Sequence, residues 1–387
     1  MTRQETQAVI IVSLIVALRL LGIFLLLPIF SAYAIKYPNA TLPLVGIAFG
    51  IYALVQGLLQ IPFGWASDRF GRRPILFIGL LLFSLGSLIC GMAENITQLI
   101  LARVFQGSGA VSAVAMAALG DLTRPQVRAQ AFTITGITIG AAFMVGILGG
   151  PFLAAHFGFH YLFYLLAALS FLSMLVTGLF FPEIKIEAPK QSGPVVFHGF
   201  MSHIEIRRIY MAAFVLSFVL SLFFFIYPLS WTSLGLNRDQ LWRVYLVVSL
   251  PSILFVFPYV RHAEKKGKLR LPAVGGWIII VLGFLVYVAN GIQTWGLYMT
   301  GGAFFLGYTL FQSLLPAFLT QRVPSEGRGA ATGFYNLAGF FGASLGGILA
   351  GLLYHLNQRY PLILGLLLLM IWVLMGLPKP PDPDAIN

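Results

Sequence analysis

The chain has 387 residues, of which 59% are hydrophobic and only 9% charged, against about a quarter charged in a soluble domain. That balance excludes a soluble enzyme or binding module and makes lipid the solvent for most of the chain. The net charge of +12 would suggest nucleic acid in a soluble protein, but here it reports loop charges that set orientation, so no nucleic-acid partner is expected.

A hydrocarbon core about 30 Å thick needs about 20 apolar residues per helix. On that scale the first six spans are predicted at 8–34, 41–63, 74–94, 97–119, 129–154 and 158–181. Six more follow at 208–234, 240–260, 272–291, 294–320, 329–354 and 358–377. The first run ends in a cleavage-like Ala32-Tyr33-Ala34. It is nevertheless longer than a signal-peptide core of about 7–15 residues and is interrupted by Arg19, so it reads as a retained span. The fold class is therefore an all-α membrane protein of twelve transmembrane helices in two six-helix bundles, 1–181 and 208–377. A linker, 182–207, and a tail, 378–387, complete the chain. The linker holds Pro182, Pro189, Gly193 and Pro194, and its stretch from Phe197 to Ile206 is expected to lie along the membrane surface as a short helix. Of the 24 Lys and Arg, 18 fall in the N-terminus, the even-to-odd loops, the linker and the tail, which predicts a multi-pass inner-membrane protein with both termini cytoplasmic. Cys90 is the only cysteine, so no internal disulfide forms.

The halves echo one another. Asp68-Arg69-Phe70-Gly71-Arg72 returns as Glu264-Lys265-Lys266-Gly267-Lys268, and Leu148-Gly149-Gly150 returns as Leu345-Gly346-Gly347. Nearly equal offsets in matching loops and helices point to a duplicated six-helix unit.

Arg19 is the sharpest residue in the chain. It lies mid-span, about 16 Å from either end at a rise of about 1.5 Å per residue. A central cation costs at least about 2.5–3.5 kcal/mol and normally faces a cavity or a partner. No Asp or Glu falls in the interior of a span, so the counter-charge is expected in an anionic solute, with carbonyls and water as the bland option. The missing interior acids also argue against a cationic cargo.

Between spans 2 and 3 lies Gly64-Trp65-Ala66-Ser67-Asp68-Arg69-Phe70-Gly71-Arg72-Arg73-Pro74, a polar turn in which Gly71 supplies backbone freedom. Asp121, at the end of span 4, needs a compensating cation against the helix dipole, with Arg69, Arg72 and Arg124 as the options. Arg103 in Arg103-Val104-Phe105-Gln106-Gly107-Ser108-Gly109 is expected to snorkel outward, pair with Glu94 or serve coupling. His156 and His160 have the intrinsic range for a proton relay, though at a helix end an interfacial role is the commoner one. Glycines at 136, 140, 146, 149 and 150, and at 339, 342, 346, 347 and 351, permit close helix contact. Gln56, Gln60, Tyr227, Trp231, Tyr308, Gln312, Tyr335 and Asn336 are the polar and aromatic residues available to line a solute path.

The polar turn and the Arg103 segment resemble the signatures of the major facilitator superfamily. Leu18-Arg19-Leu20-Leu21-Gly22, Gln60-Ile61-Pro62-Phe63-Gly64, Asp121-Leu122-Thr123-Arg124 and Trp242-Arg243-Val244-Tyr245 resemble its bacterial YajR transporters. The ferredoxin-like domain after helix 12 in that group is expected to be missing, since Pro378-Lys379-Pro380-Pro381-Asp382-Pro383 stands there. The resemblance implies a secondary active transporter working by alternating access through a cavity between the halves, coupled to protons and exporting a small organic solute. It further implies a cytoplasmic latch of Gly64, Asp68, Arg69, Gly71, Arg72, Arg73, Asp121 and Arg124, with Asp68 facing the start of span 11 near Gly329. Arg19, Gln56, Tyr227, Trp231, Tyr308, Gln312, Tyr335 and Asn336 would bind the solute. Arg103, Glu94, His156 and His160 would serve coupling. Uptake of an anionic nutrient or siderophore-like chelate is the rival reading, and a membrane receptor or scaffold without transport is the alternative of another class. No catalytic constellation, metal cluster or cofactor is expected, and the protein is expected to work as a monomer.

Overall fold

The computed structural model describes residues 1–182, 203–266, 270–323 and 328–377. These residues are helical throughout, with no strand among them, because lipid leaves the backbone no partner except its own helix. The chain divides into two compact units, within Met1–Ser192 and within Gly193–Asn387.

The first unit holds α1 (Arg3–Leu26), α2 (Phe30–Ala34), α3 (Leu42–Phe70), α4 (Arg72–Gly91), α5 (Ile96–Gly107), α6 (Ser112–Asp121), α7 (Pro125–Phe157) and α8 (Phe159–Phe180). The second holds α9 (Ile204–Ser233), a 3-10 turn at Arg238–Gln240, α10 (Leu241–Lys265), α11 (Arg270–Asn290), α12 (Thr294–Arg322), α13 (Arg328–Leu356) and α14 (Tyr360–Met375). Every expected span is helical. Ile61, Trp65, Leu101, Ile137 and Leu179 are exposed by more than 60%, and such outward apolar side chains form the surface that lipid covers.

Two of the twelve spans are broken where a continuous helix was expected. Span 1 runs as α1 and then α2, because Pro28 has no N–H to continue the ladder and clashes with the preceding turn. Span 4 runs as α5 and then α6, with Ser108–Val111 between them closed by short bonds such as Val111 N–H to Gly109 O at 3.0 Å. No proline causes this second break. Gly107 and Gly109 weaken the helix on either side of Ser108, which bonds back to Phe105 O at 2.6 Å, and a Cβ on Gly109 would run into the Gly79 carbonyl of α4, one on Gly107 into the Tyr52 carbonyl of α3. The expected surface helix at Phe197–Ile206 and the 378–387 tail lie largely outside the described residues, but α9 already begins at Ile204.

The glycine stripes have a reason inside each unit. A Cβ at Gly146 or Gly150 of α7 would collide with the backbone of Phe24 and Leu25 on α1. One at Gly342 or Gly346 of α13 would collide with that of Phe214 and Phe218 on α9. In each unit the fifth span thus packs its glycines on the backbone of the first, so the duplication extends to the way these helices pack. Gly136 and Gly140 face open space, and neither needs to be glycine for that contact.

The helix starts repeat as well. Thr2 caps α1 in a reciprocal capping box with Glu5, whose carboxylate also takes Arg124 Nε at 2.7 Å. In the second unit Glu205, in the first turn of α9, meets Arg208 Nη1 at 2.5 Å and Arg322 Nη2 at 3.9 Å. In each unit an acid opening the first helix thus meets an arginine that follows, or ends, its fourth span.

Candidate functional site

The broken fourth span builds the polar centre of the first unit. A helix interrupted inside the bilayer frees carbonyls and N–H groups, which must find partners from other helices. Arg19 of α1 supplies one set: its Nη2 donates to the Gly109 carbonyl at 3.2 Å and to Tyr52 Oη at 3.3 Å, and its Nη1 donates to Ser112 Oγ at 2.6 Å. The guanidinium also lies 5.3 Å from the Phe83 ring centroid. Arg19 is 2% exposed, it meets neither lipid nor a carboxylate, and its Nε has no hydrogen-bond partner among the described residues.

Gln60 supplies the other set, its Oε1 accepting the Ala113 N–H in the first turn of α6 at 2.8 Å. Tyr52, Gln56 and Gln60 stand one turn apart on one face of α3. The two outer members reach Arg19 and α6, while Gln56 between them is wholly buried with neither amide atom hydrogen-bonded among the described residues. Tyr52 and Ser112 were not expected as partners of Arg19. The Tyr52-Gln56-Gln60 spacing was the available signal for the first, whereas Ser112 becomes visible only once the break is known.

Arg103 departs from its expected pairing. It neither snorkels outward nor meets Glu94. It is 6% exposed, donates to Ala48 O at 3.2 Å and to Gln106 Oε1 at 2.6 Å, and lies 4.4 Å from the Tyr52 ring centroid. Gln106 passes the network on, its Nε2 donating to Ser87 Oγ at 2.8 Å. Glu94 is exposed, and with His160 it lines an open cavity of about 750 Å³ walled by Tyr33, Tyr37, Phe159 and Tyr164. His160 Nδ1 lies 3.0 Å from the Gly91 carbonyl, which also accepts the Tyr164 hydroxyl. His156 instead sits on its own helix, with Nδ1 2.8 Å from Phe152 O.

At the polar turn Gly71 has φ +100°, a conformation that other residues resist. Gly64 has open space around it and no such need. Arg72 is the hub: it meets Asp68 Oδ1 at 2.5 Å, Asp121 Oδ2 at 2.9 Å and Ser67 Oγ at 2.6 Å. Of the cations weighed for Asp121, Arg72 is therefore the partner. Arg124 belongs to Glu5, and Arg69 lies over the Trp65 and Phe70 rings. Arg73 donates to the Gly178 carbonyl of α8. Glu5, ahead of the apolar run that begins at Ala8, is held by Arg124 and the Thr2 cap at a pKa of about 2. Its role was missed, although Thr2-x-x-Glu5 is a readable capping signature.

In the second unit Tyr227 and Tyr308 are buried in an aromatic cluster. Phe223 stacks on Phe304 at 3.8 Å and on Tyr227 at 4.6 Å, and Tyr308 stacks on Phe304 at 5.5 Å. The Tyr227 hydroxyl donates to Leu297 O at 3.1 Å. Trp231, 3% exposed, packs edge-on against Tyr298 at 4.8 Å. Gln312, Tyr335 and Asn336 are only partly buried.

The family description "Major Facilitator Superfamily" matches residues 12–347 and again 209–387. The inner membrane transport protein YajR of Escherichia coli K12 is 32% identical over 393 residues, covering 100% of this chain and 87% of that protein. Multidrug resistance protein 2 of Bacillus subtilis is 25% identical, covering 99% of this chain and 98% of its own. Among solved structures, a point mutant of the nucleoside transporter NupG has a TM-score of 0.72 at 12% identity, covering 95% of this chain and all of that one, a likeness of fold alone.

Proposed function

Because this chain belongs to the major facilitator superfamily and is a membrane transporter, we propose that it exports a small organic anion by alternating access. The observation that carries the anion is Arg19, a buried guanidinium whose partners are two hydroxyls and a carbonyl, with no carboxylate beside it among the described residues. A charge held that way attracts an anion strongly in a low-dielectric interior. It also disfavours an organic cation, which would bring a second positive charge to the same place.

In this reading Arg19 takes the anionic group and Gln56, on the same unit, hydrogen-bonds the polar remainder. Within the second unit Tyr227, Trp231, Tyr308, Gln312, Tyr335 and Asn336 are retained as candidate solute contacts. The hub of Arg72, Asp68 and Asp121 stabilises the closed cytoplasmic gate, with Gly64, Arg69, Gly71 and Arg73 shaping the turn and both termini cytoplasmic. Export is the direction we take from the family resemblance, and it agrees with the drug resistance for which the Bacillus relative is named. Protons are the coupling ion expected from the superfamily, and Glu94 and His160, which share one open cavity, are the titratable groups we retain for that role. Arg103 is assigned to holding α3 and α5 together.

Measuring acidic metabolites inside cells that lack the protein tests direction. Loss of an exporter raises the internal level of its solute, and a fall instead would assign uptake. A chain that exchanges nothing in proteoliposome counterflow across a broad panel of acids would be a receptor or scaffold, and the transport mechanism would fall.

A further inference from the structure

We propose that the break between α5 and α6 is a binding site for a monovalent anion, chloride or a carboxylate group, held by Arg19, Gln56, Gln60 and the first turn of α6. The inference deepens the assignment of Arg19 to an anionic solute, and only its carboxylate arm rests on that assignment.

Three observations converge on the place. The first is charge. Arg19 and Arg103, 2% and 6% exposed, bracket Tyr52, one at its hydroxyl and the other over its ring. The described acids of this unit are Glu5, Asp68, Glu94 and Asp121, and all stand at helix ends, three of them paired with arginines there. Two interior cations thus share one neighbourhood with no interior carboxylate among the described residues. Charges buried in that way require a counter-ion.

The second is the start of α6. This ten-residue helix has Val111 as its N-cap and no side-chain cap. Its positive dipole end is where Ser112 Oγ draws Arg19 Nη1 to 2.6 Å. Two positive poles facing one another are unfavourable alone, whereas an anion between them satisfies both.

The third is the set of unused polar atoms. Arg19 Nε, both amide atoms of Gln56 and Gln60 Nε2 are buried without hydrogen-bond partners among the described residues. Gln56 is 0% exposed and stands one turn from Tyr52, which touches Arg19, and one turn from Gln60, which touches α6. Three of these four groups are donors. A buried neighbourhood that is rich in donors, holds two cations and has no carboxylate among the described residues selects an anion over water or a cation.

The test uses the purified full chain in detergent, in chloride-free HEPES buffer. Sodium chloride and sodium acetate are titrated in separate arms against sodium sulfate at equal ionic strength. Melting is followed with a thiol-reactive coumarin at Cys90, which is buried and the only cysteine. Wild type should show a saturable rise in melting temperature with at least one monovalent anion. Arg19→Met and Gln56→Leu should each lose it. Gln56→Leu should also melt no lower than wild type without anion, since it removes two unpartnered polar atoms. If Arg19→Met does not fold, Gln56→Leu carries the test alone. A response to chloride only supports the site as one for a resident inorganic ion and removes the carboxylate assignment of Arg19. A response to acetate supports the carboxylate source. No saturable response to either anion, or an undiminished response in Gln56→Leu, overturns the site and leaves the transporter assignment standing.

Discussion

Replacing Arg72 with alanine removes the single side chain that joins both acids of the polar turn. Asp68 loses a contact at 2.5 Å, Asp121 one at 2.9 Å and Ser67 Oγ one at 2.6 Å. The two carboxylates are 38% and 41% exposed, so water replaces much of what they lose. An i,i+4 pair such as Arg72–Asp68 contributes about 0.3–0.5 kcal/mol, and the tie to Asp121 roughly 1 kcal/mol. The Ser67 hydroxyl keeps its own bond to Gly64 O at 2.8 Å, so its lost donor adds at most about 1 kcal/mol. The expected destabilisation is therefore about 2 kcal/mol, read as a lower melting temperature of the purified protein in one fixed detergent. A double-mutant cycle with Asp121→Ala should return a coupling of roughly 1 kcal/mol. Arg69→Ala, whose guanidinium only covers the Trp65 and Phe70 rings, should change stability by less than about 0.5 kcal/mol. An Arg72→Ala protein as stable as wild type, or a cycle with no coupling, would refute the hub.

Gly346→Val places a branched side chain against the Phe218 carbonyl, where even a Cβ collides. It should cost about 3 kcal/mol or more and sharply lower the yield of folded protein, whereas Gly140→Ala, facing open space, should be neutral by the same measure. Glu5→Gln should lower the melting temperature near neutral pH by releasing Arg124 and weakening the start of α1. Because the folded pKa of Glu5 lies near 2, below the ordinary carboxylate value, its contribution is complete above that ordinary value. It is lost as the pH falls toward 2, so the melting curves of wild type and Glu5→Gln should converge only at the acid end.

Much of the fold was legible in the sequence because lipid imposes one rule on every span: enough apolar residues in a helix to cross. The breaks were less legible, and for different reasons. Pro28 was present to be read but lay inside a run whose length drew attention to targeting. The break after Gly107 has a local cause in Gly107-Ser108-Gly109, two poor helix formers about a serine that bonds back to Phe105 O, but the same glycines also read as close-packing residues within a continuous span. Arg19 announced itself because a mid-span cation is costly, and its lack of an acid partner could be read by exclusion. Of its partners Tyr52 had a signal in the Tyr52-Gln56-Gln60 spacing, but Ser112 and the Gly109 carbonyl did not, because they come within reach only once the fourth span is broken. For Arg103 two of the three options, snorkelling and Glu94, give way to a contact one helix turn along, where Gln106 Oε1 lies at 2.6 Å. Arg72 and Arg124 show the limit of motif reading. The motif supplies the cations, but only packing decides which acid each one takes.

Counterflow in proteoliposomes, run with matched pairs of a carboxylic acid and its neutral amide on wild type and Arg19→Ala, tests the central claim most directly. Wild type should exchange at least one acid and not its amide. Arg19→Ala should slow this exchange about ten- to a hundredfold, the value of a charged hydrogen bond of about 1.5–3 kcal/mol. An acid exchanged equally well by both proteins would contradict that claim.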